Sequence, residues 1–126
     1  APPAVAAPEA APGKNRQGPV VFSPPDVTTE TTPQAAKLAA HLKRKGAKMY
    51  GAYWCSHCFN QKEQFGRVAV KDVDYYECAN DGYNSRRDAC QAKDIKGYPT
   101  WEIDGALYPG EKTLDQLAEL SGFVDR

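Results

Sequence analysis

The chain has 126 residues, enough for one domain and a tail. Its 16 basic and 16 acidic side chains leave no net charge, which argues against a nucleic-acid or acidic-lipid surface, because either needs a basic excess. Hydrophobic residues make up 41% but never form the run of about 20 that spans a bilayer, so we expect no direct membrane insertion. The sequence begins at Ala1 without a charged and then apolar leader, so we expect any targeting signal or membrane segment to lie outside it.

Proline divides the chain into two parts. Eight of the ten prolines lie in residues 1–33. Because proline lacks an N–H and fixes φ, this Pro/Ala-rich segment is unsuited to helix interiors and central strands. We predict a disordered N-terminal tail or linker over 1–33, in an extended state, with a candidate edge strand at its apolar cluster 20–22. Residues 34–126 then form the folded domain.

That domain alternates helices and strands. Thr32 and Pro33 are typical of a helix N-cap and first position, and apolar residues then recur at helical spacing as far as Gly46. The other predicted elements are a strand within 47–54, a helix over about 55–70, a strand at 73–78, a short helix at 85–93 capped by Ser85, a hairpin at 100–108 and a last helix after the capping box 113–116. This order predicts an α/β domain.

The strongest chemical signal is Cys55-Ser56-His57-Cys58 at a strand-to-helix junction. At a helix N-terminus the first sulfur meets unpaired N–H groups and the positive end of the helix dipole, and both favour the thiolate. We therefore predict Cys55 as the nucleophile and Cys58, one turn further, as the resolving thiol. His57 is a candidate catalytic residue that stabilises the Cys55 thiolate; the alternative is an exposed side chain without a role.

The same cysteines allow two other interpretations. In the first, the C-x-x-C motif is half of a zinc site that Cys78, Cys90 or His57 completes. In the second, the motif is a structural disulfide. However, Cys78 and Cys90 are not a second close pair, and Trp54 directly before Cys55 is more typical of a redox site. We therefore predict a redox dithiol without a metal or a bound organic cofactor, because the sulfurs carry the electrons themselves.

Residues 97–100 form the second part of the candidate site. Combined with the upstream motif, they predict a cis bond before Pro99 that exposes backbone groups of Tyr98 beside Cys55. An extended substrate segment would pair with those groups, so Trp54, Tyr98 and Pro99 are candidate substrate-binding residues. The alternative is an ordinary turn before a strand.

With these motifs, residues 34–122 resemble a thioredoxin-like domain, through Trp54 with the C-x-x-C motif and then Tyr98, Pro99 and Thr100. The resemblance implies a central mixed β-sheet flanked by helices, with the dithiol at a strand–helix junction facing a cis proline. Met49 departs from the pattern, because thioredoxin carries a buried acid six positions before its first cysteine. The usual proton acceptor is thus missing, which puts general reductase chemistry in doubt.

A finer resemblance covers residues 46–58, 61–63, 65–66, 77–78, 90 and 98–101, which look like the thioredoxin-like domain fused to vitamin K epoxide reductase homologues, of the plant and algal lumen thiol oxidoreductase type. It implies a thiol-disulfide oxidoreductase that forms disulfides in lumenal or exported proteins with reduced cysteines. It also implies a quinone-linked, vitamin K epoxide reductase-like membrane domain that reoxidises the dithiol, in cis or in trans. We therefore expect the thylakoid lumen, with the periplasm as the alternative, a monomer, and a tether over 1–33.

Cys78 and Cys90 are predicted to form a second disulfide, although four cysteines permit three pairings. The closed loop would stabilise the fold by somewhat under ~3 kcal/mol. The simplest role is structural; the alternative is a relay that exchanges with Cys55 and Cys58. Two disulfides in so small a chain predict an oxidising compartment. A reductase or isomerase, and a client-binding module with a structural disulfide, remain alternative functions.

Overall fold

A computed structural model describes residues 20–125 of the chain. Of the tail predicted over 1–33, residues 1–19 lie outside the described residues. Within the described part, no helix has the length and apolar character that crossing a membrane requires.

The order of elements is the one predicted from the sequence, with shifted bounds. In chain order the helices, strands and one 3₁₀ turn are α1 (Pro33–Arg44), β1 (Lys48–Gly51), α2 (Ser56–Ala69), the 3₁₀ turn (Val70–Asp72), β2 (Asp74–Glu77), α3 (Arg87–Ala92), β3 (Thr100–Ile103), β4 (Ala106–Pro109) and α4 (Leu114–Ser121).

The four strands form one mixed sheet in the order β2-β1-β3-β4. β1 pairs in parallel with β2 and antiparallel with β3, and β3 forms the predicted hairpin with β4. With helices against the sheet, this is the thioredoxin-like arrangement, so the predicted fold class is confirmed.

The two faces of the sheet bury different groups. Side chains alternate along a strand, so Met49 and Tyr50 point to opposite faces. Met49 lies in the main core, to which α1, α2 and α4 contribute; its largest helical members include Leu38, Phe65 and Leu117. Tyr50 lies in a smaller cluster with Cys78 and Cys90. The dithiol helix α2 is therefore seated on the Met49 face.

Side-chain caps begin α1 and α4 but neither α2 nor α3. The Thr32 side chain accepts from the Ala35 N–H at 3.0 Å, and the capping box at Thr113 is formed. The predicted cap at Ser85 is wrong: α3 begins after Arg86, and no side chain caps it. The reason is that the Arg86 N–H donates to the carbonyl of Glu77 at 2.7 Å, which holds this backbone against the end of β2.

Residues 28–31 lie along α2 and support a break in it. Gly66 interrupts the helix with a φ of 88°. The Thr31 hydroxyl accepts from the N–H groups of Val68 and Ala69, at 3.1 and 3.0 Å, so it caps the helical segment after the break. The Arg67 N–H donates to the carbonyl of Thr29 at 2.9 Å. The last part of the segment predicted as a tail therefore contacts the domain, while the domain boundary at residue 33 stays a prediction.

The apolar cluster 20–22, a candidate edge strand, contributes a single bridge pairing. Phe22 pairs with Gly82, donating to the carbonyl of Asp81 at 3.0 Å and accepting from the Tyr83 N–H at 2.7 Å. Its ring stacks on Tyr53 with the centroids 5.5 Å apart. This part of the chain consequently lies close to the turn that carries the dithiol.

Candidate active site

The dithiol sits where β1 passes into α2. Cys55 is the N-cap of α2 in an extended conformation, and its N–H donates to the carbonyl of Ala52 at 3.1 Å. Cys58 lies in the first turn of the helix and is 2% exposed, whereas Cys55 is half-buried. Both are free thiols. The sulfur at the helix terminus is thus the one that a partner molecule can reach.

The pKa values of the two thiols are shifted in opposite directions. A hydrogen bond from the Cys58 thiol, then N–H groups of Cys58 and His57 and the charge of His57, lower the pKa of Cys55 to about 6 against the opposing effect of burial. The same hydrogen bond, followed by burial, raises the pKa of Cys58 far above its ordinary value. At neutral pH the pair therefore holds a thiolate at Cys55 and a thiol at Cys58, which suits the predicted roles of nucleophile and resolving thiol.

The loop before β3 faces this thiolate. The Tyr98–Pro99 bond is cis, and the carbonyl oxygen of Tyr98 lies 3.6 Å from Cys55 Sγ. The ring of Tyr98 meets Trp54 edge-on, with the centroids 6.0 Å apart, and Pro99 is fully buried beneath. The structure thus brings the three residues predicted to bind substrate to the reactive sulfur.

An open groove of about 410 Å³ runs beside the dithiol. It lies between α2, the cis-proline loop and the loop from β4 to α4, and its lining includes His57, Gln64, Tyr98 and residues 110–113. The groove leaves space beside Tyr98 of the kind that the predicted binding of an extended segment requires.

His57 lies at the rim of this groove and does not hydrogen-bond the Cys55 sulfur through its ring. Its Nδ1 lies 3.1 Å from Glu111 Oε1, and its side chain is 69% exposed. It acts on Cys55 through its backbone N–H and its charge. Glu111 was not predicted, because it lies on a loop with no local signal for this contact.

Gln61 is a second residue that the sequence did not indicate. It is fully buried, accepts from the Trp101 indole N–H at 3.0 Å and from the Lys112 N–H at 2.8 Å, and donates to the Lys112 carbonyl at 2.9 Å. These bonds fix the loop that forms one wall of the groove, and Glu111 belongs to that loop.

A buried polar group behind Cys58 was also missed. Lys62 is 8% exposed and Glu77 is 2% exposed. The Tyr75 hydroxyl donates to Glu77 Oε1 at 2.9 Å, and Lys62 Nζ lies 3.5 Å from the centroid of the Tyr75 ring. Two signals were available: Lys62 follows Cys58 at i+4, and the alternation in 73–78 places Tyr75 and Glu77 on one face.

The predicted second disulfide joins Cys78 to Cys90, and both residues are buried. The bond occupies two of the sulfurs that the zinc alternative requires. Within residues 20–125 there is no group of three or more His, Cys, Asp or Glu side chains placed to hold a metal ion.

The fold and the site define a thioredoxin-like thiol-disulfide oxidoreductase domain. No protein-family model matches the chain. The chain is 48% identical over 101 residues to the thiol-disulfide oxidoreductase LTO1 of Arabidopsis thaliana, an alignment that covers 78% of this chain and 27% of that relative. The chain therefore spans little more than a quarter of the relative's length. This similarity supports a thiol oxidoreductase family.

Proposed function

We propose that the domain forms disulfides in proteins with reduced cysteines, through the Cys55–Cys58 pair. The observation that carries this proposal is the asymmetry of the dithiol. Cys55 is reachable and has a pKa lowered to about 6, whereas Cys58 is buried and protonated. A thiolate that is stabilised in the reduced state makes the corresponding disulfide more oxidising.

The exchange follows from this asymmetry. A substrate thiolate attacks Cys55 Sγ in the oxidised protein, a mixed disulfide forms, and Cys58 leaves. A second substrate thiolate then attacks the substrate sulfur of the mixed disulfide, so that the substrate gains its disulfide and Cys55 leaves with the electron pair. The low pKa of Cys55 makes it a good leaving group in this last step.

The groove supports a substrate recognised mainly through its backbone. The carbonyl of Tyr98 faces Cys55, and the groove carries both signs of charge, from His57, Glu111 and Lys112. A mixed lining of this kind accommodates extended segments of different sequence and does not select one charged ligand.

We further propose that a quinone-linked, vitamin K epoxide reductase-like membrane domain, in cis or in trans, reoxidises the dithiol, and that the thylakoid lumen is the site of action. The support is the sequence resemblance together with the similarity to a plant oxidoreductase of which this chain covers 27%. The periplasm, with an equivalent membrane partner, is the alternative location, and a monomeric domain stays a prediction.

The test is a redox titration of the whole chain against defined thiol–disulfide buffers, with alkylated cysteines counted by mass. A Cys55–Cys58 transition above about −200 mV supports the disulfide donor, and one near about −270 mV contradicts it and favours a reductase. If Cys78–Cys90 stays oxidised below about −300 mV, its role is structural; if both pairs titrate together, the relay is favoured.

A trapping experiment separates the enzyme from a client-binding module. Cys58→Ser protein is loaded with thionitrobenzoate on Cys55 and mixed with a reduced, unfolded secretory protein. With a substrate that carries a single cysteine, the enzyme should exchange the small thiol for that cysteine and stay covalently linked, because neither Cys58 nor a second substrate thiol is present to resolve the mixed disulfide. A binding module would give no linked species that a reductant releases. Cys55→Ser is the matched control.

A further inference from the structure

The buried group of Lys62, Tyr75 and Glu77, here called the Lys62 cluster, has no part in the exchange described above. Burying charged side chains costs free energy unless they are paired, and such pairs rarely stabilise a fold more than apolar residues would. Glu77 is well satisfied, since Oε2 accepts from the N–H groups of Tyr53 and Ala79 at 3.1 and 3.0 Å. The cluster is therefore ordered, charged and enclosed, and it lies next to a reacting sulfur.

Its position relative to Cys58 is set by α2 and β1. Lys62 follows Cys58 by four residues, so both side chains leave the helix on the same, buried face. A Cβ at Gly51 would lie 2.8 Å from Cys58 Sγ and 2.9 Å from Cε1 of Tyr75, so the sulfur and the ring pack against the same glycine. The Lys62 ammonium lies over that ring, on the protein side of the dithiol.

The exchange places a negative charge on the buried sulfur of Cys58. When the Cys55–Cys58 disulfide opens, Cys58 leaves as a thiolate that is almost entirely screened from solvent. An unpaired buried charge of this kind is costly, so the step is favoured by a proton donor inside the protein. We propose that Lys62 donates this proton to Cys58 and that the Tyr75 ring, whose hydroxyl is bonded to Glu77, holds the ammonium group in place. This inference rests on the proposed function.

The step balances without a further reactant. The substrate sulfur bonds to Cys55 Sγ, the disulfide breaks, and its electron pair goes to Cys58 Sγ, which takes a proton from the Lys62 ammonium. Lys62 is left as a neutral amine. When the domain is reoxidised, Cys58 attacks a mixed disulfide on Cys55 and returns its proton to that amine.

The electrostatics suit a group that both gives and takes a proton near neutrality. Burial lowers the pKa of Lys62 to about 8, against the opposing charges of Cys58 and Glu77. Burial also raises the pKa of Glu77 and, more strongly, that of Tyr75. The charge of Glu77 also acts on two other tyrosines, Tyr53 in the dithiol turn and Tyr98 in the cis-proline loop, and burial raises the pKa of both.

The test follows Cys58 separately from Cys55. Reduced protein is mixed with an aromatic disulfide that releases coloured thionitrobenzoate. The Cys55 thiolate releases the first equivalent, and Cys58 releases the second when it attacks the mixed disulfide. This second phase is the proposed proton transfer in reverse, so in the natural protein its rate should rise with pH to a plateau with a midpoint near 8.

Lys62→Met should slow the second phase at about pH 8 by about a hundredfold and move its midpoint upward, with the first phase unchanged. Lys62→Arg decides between proton transfer and charge alone, because arginine keeps the charge but does not deprotonate in this range. Slow resolution in Lys62→Arg supports the proposal, and a natural rate overturns it. If Lys62→Arg does not fold by circular dichroism, Lys62→Met decides: a midpoint that stays near 8 overturns the proposal.

Two further variants complete the design. Glu77→Gln keeps one acceptor oxygen for the two backbone N–H groups and should slow the second phase by loosening the Tyr75 ring that holds Lys62. Lys93→Met is the matched control, since Lys93 pairs with Glu102, which also accepts from a tyrosine, Tyr50, but on the other face of the sheet. An equal effect of Lys93→Met would overturn the proposal. The first phase and the redox titration report on the proposed function independently, so the two failures are distinguishable.

Discussion

Replacing Cys58 by alanine should raise the pKa of Cys55 more than replacing His57 does. The hydrogen bond from the Cys58 thiol is the largest cause that lowers this pKa, and the charge of His57 is the smallest. His57 also faces away, toward Glu111 at 3.1 Å. In that case the Cys58 hydrogen bond stabilises most of the Cys55 thiolate, and His57 makes only a smaller adjustment to its pKa.

The expected effect is large enough to measure directly. With a pKa of about 6, Cys55 is about 90% thiolate at about pH 7, whereas a cysteine with an ordinary pKa of about 8.5 is about 3% thiolate. Cys58→Ala should remove most of this difference of about thirtyfold. His57→Ala should remove less, because the backbone N–H of residue 57 is retained.

The assay is the ultraviolet absorbance of the thiolate, titrated from about pH 4 to about pH 10. Cys78 and Cys90 are bonded to each other, so Cys58→Ala leaves Cys55 as the one free thiol of the chain. His41→Ala is the control, since this second histidine contacts Ser121 instead. A larger shift in His57→Ala than in Cys58→Ala would refute the reasoning.

Three predictions concern stability, and chemical denaturation measures each. Joint replacement of Cys78 and Cys90 by alanine should lower the free energy of unfolding by somewhat under about 3 kcal/mol and leave the rate of disulfide transfer to substrate unchanged, whereas loss of a relay would slow that transfer. Gln61→Leu leaves the buried Trp101 indole N–H and the Lys112 N–H without partners, while the Lys112 carbonyl keeps its bond from Gln64, and should cost about 2 kcal/mol or more; a loss below about 1 kcal/mol would mean that water replaces them. Gly66→Ala should cost at least about 2 kcal/mol, because φ is 88° and a Cβ would lie 2.5 Å from a threonine hydroxyl, whereas Gly97→Ala, with open space around it, should be near neutral.

The sequence predicts those parts of the fold that local chemistry determines. The cap at Thr32, the capping box at Thr113 and the Asp104-Gly105 turn each depend on groups a few residues apart, and each is present. The break at Gly66 depends instead on Thr31, a residue 35 positions earlier, so periodicity within α2 gives no sign of it. The predicted helix cap at Ser85 is wrong for a similar reason. The hydrogen bond from the Arg86 N–H to the Glu77 carbonyl on β2 holds the backbone at the start of α3, and the Ser85 side chain does not cap the helix.

The candidate site likewise has one part that the sequence predicts and one part that it does not. The cysteine motif and the cis-proline segment are contiguous in sequence, and their meeting follows from the fold. Met49 occupies the position of the acid on β1, but the neighbouring strand β2 carries a carboxylate at Glu77. Met49 is paired with Tyr75, and Gly51 with Glu77, so Glu77 faces α2 from β2 instead of β1. Comparison of one position with a family pattern does not detect a group that has moved across the sheet.

The two Tyr–Glu–Lys groups of this domain explain why residue types alone do not identify the functional one. In the first, Tyr50 donates to Glu102, and Lys93 pairs with it while 47% of the Lys93 side chain is exposed. The Tyr50 hydrogen bond, aided by the lysine, lowers the pKa of Glu102, so this carboxylate stays ionised.

In the Lys62 cluster, burial dominates and shifts both charged groups toward their neutral forms: the pKa of Glu77 rises and that of Lys62 falls. The first group keeps its charges fixed and serves the fold, whereas the second lies close to exchanging a proton. Because burial causes this difference between the two groups, a change that exposed the Lys62 ammonium to solvent would restore an ordinary lysine pKa. The same change would remove the proposed proton donor from Cys58 and leave both cysteines in place.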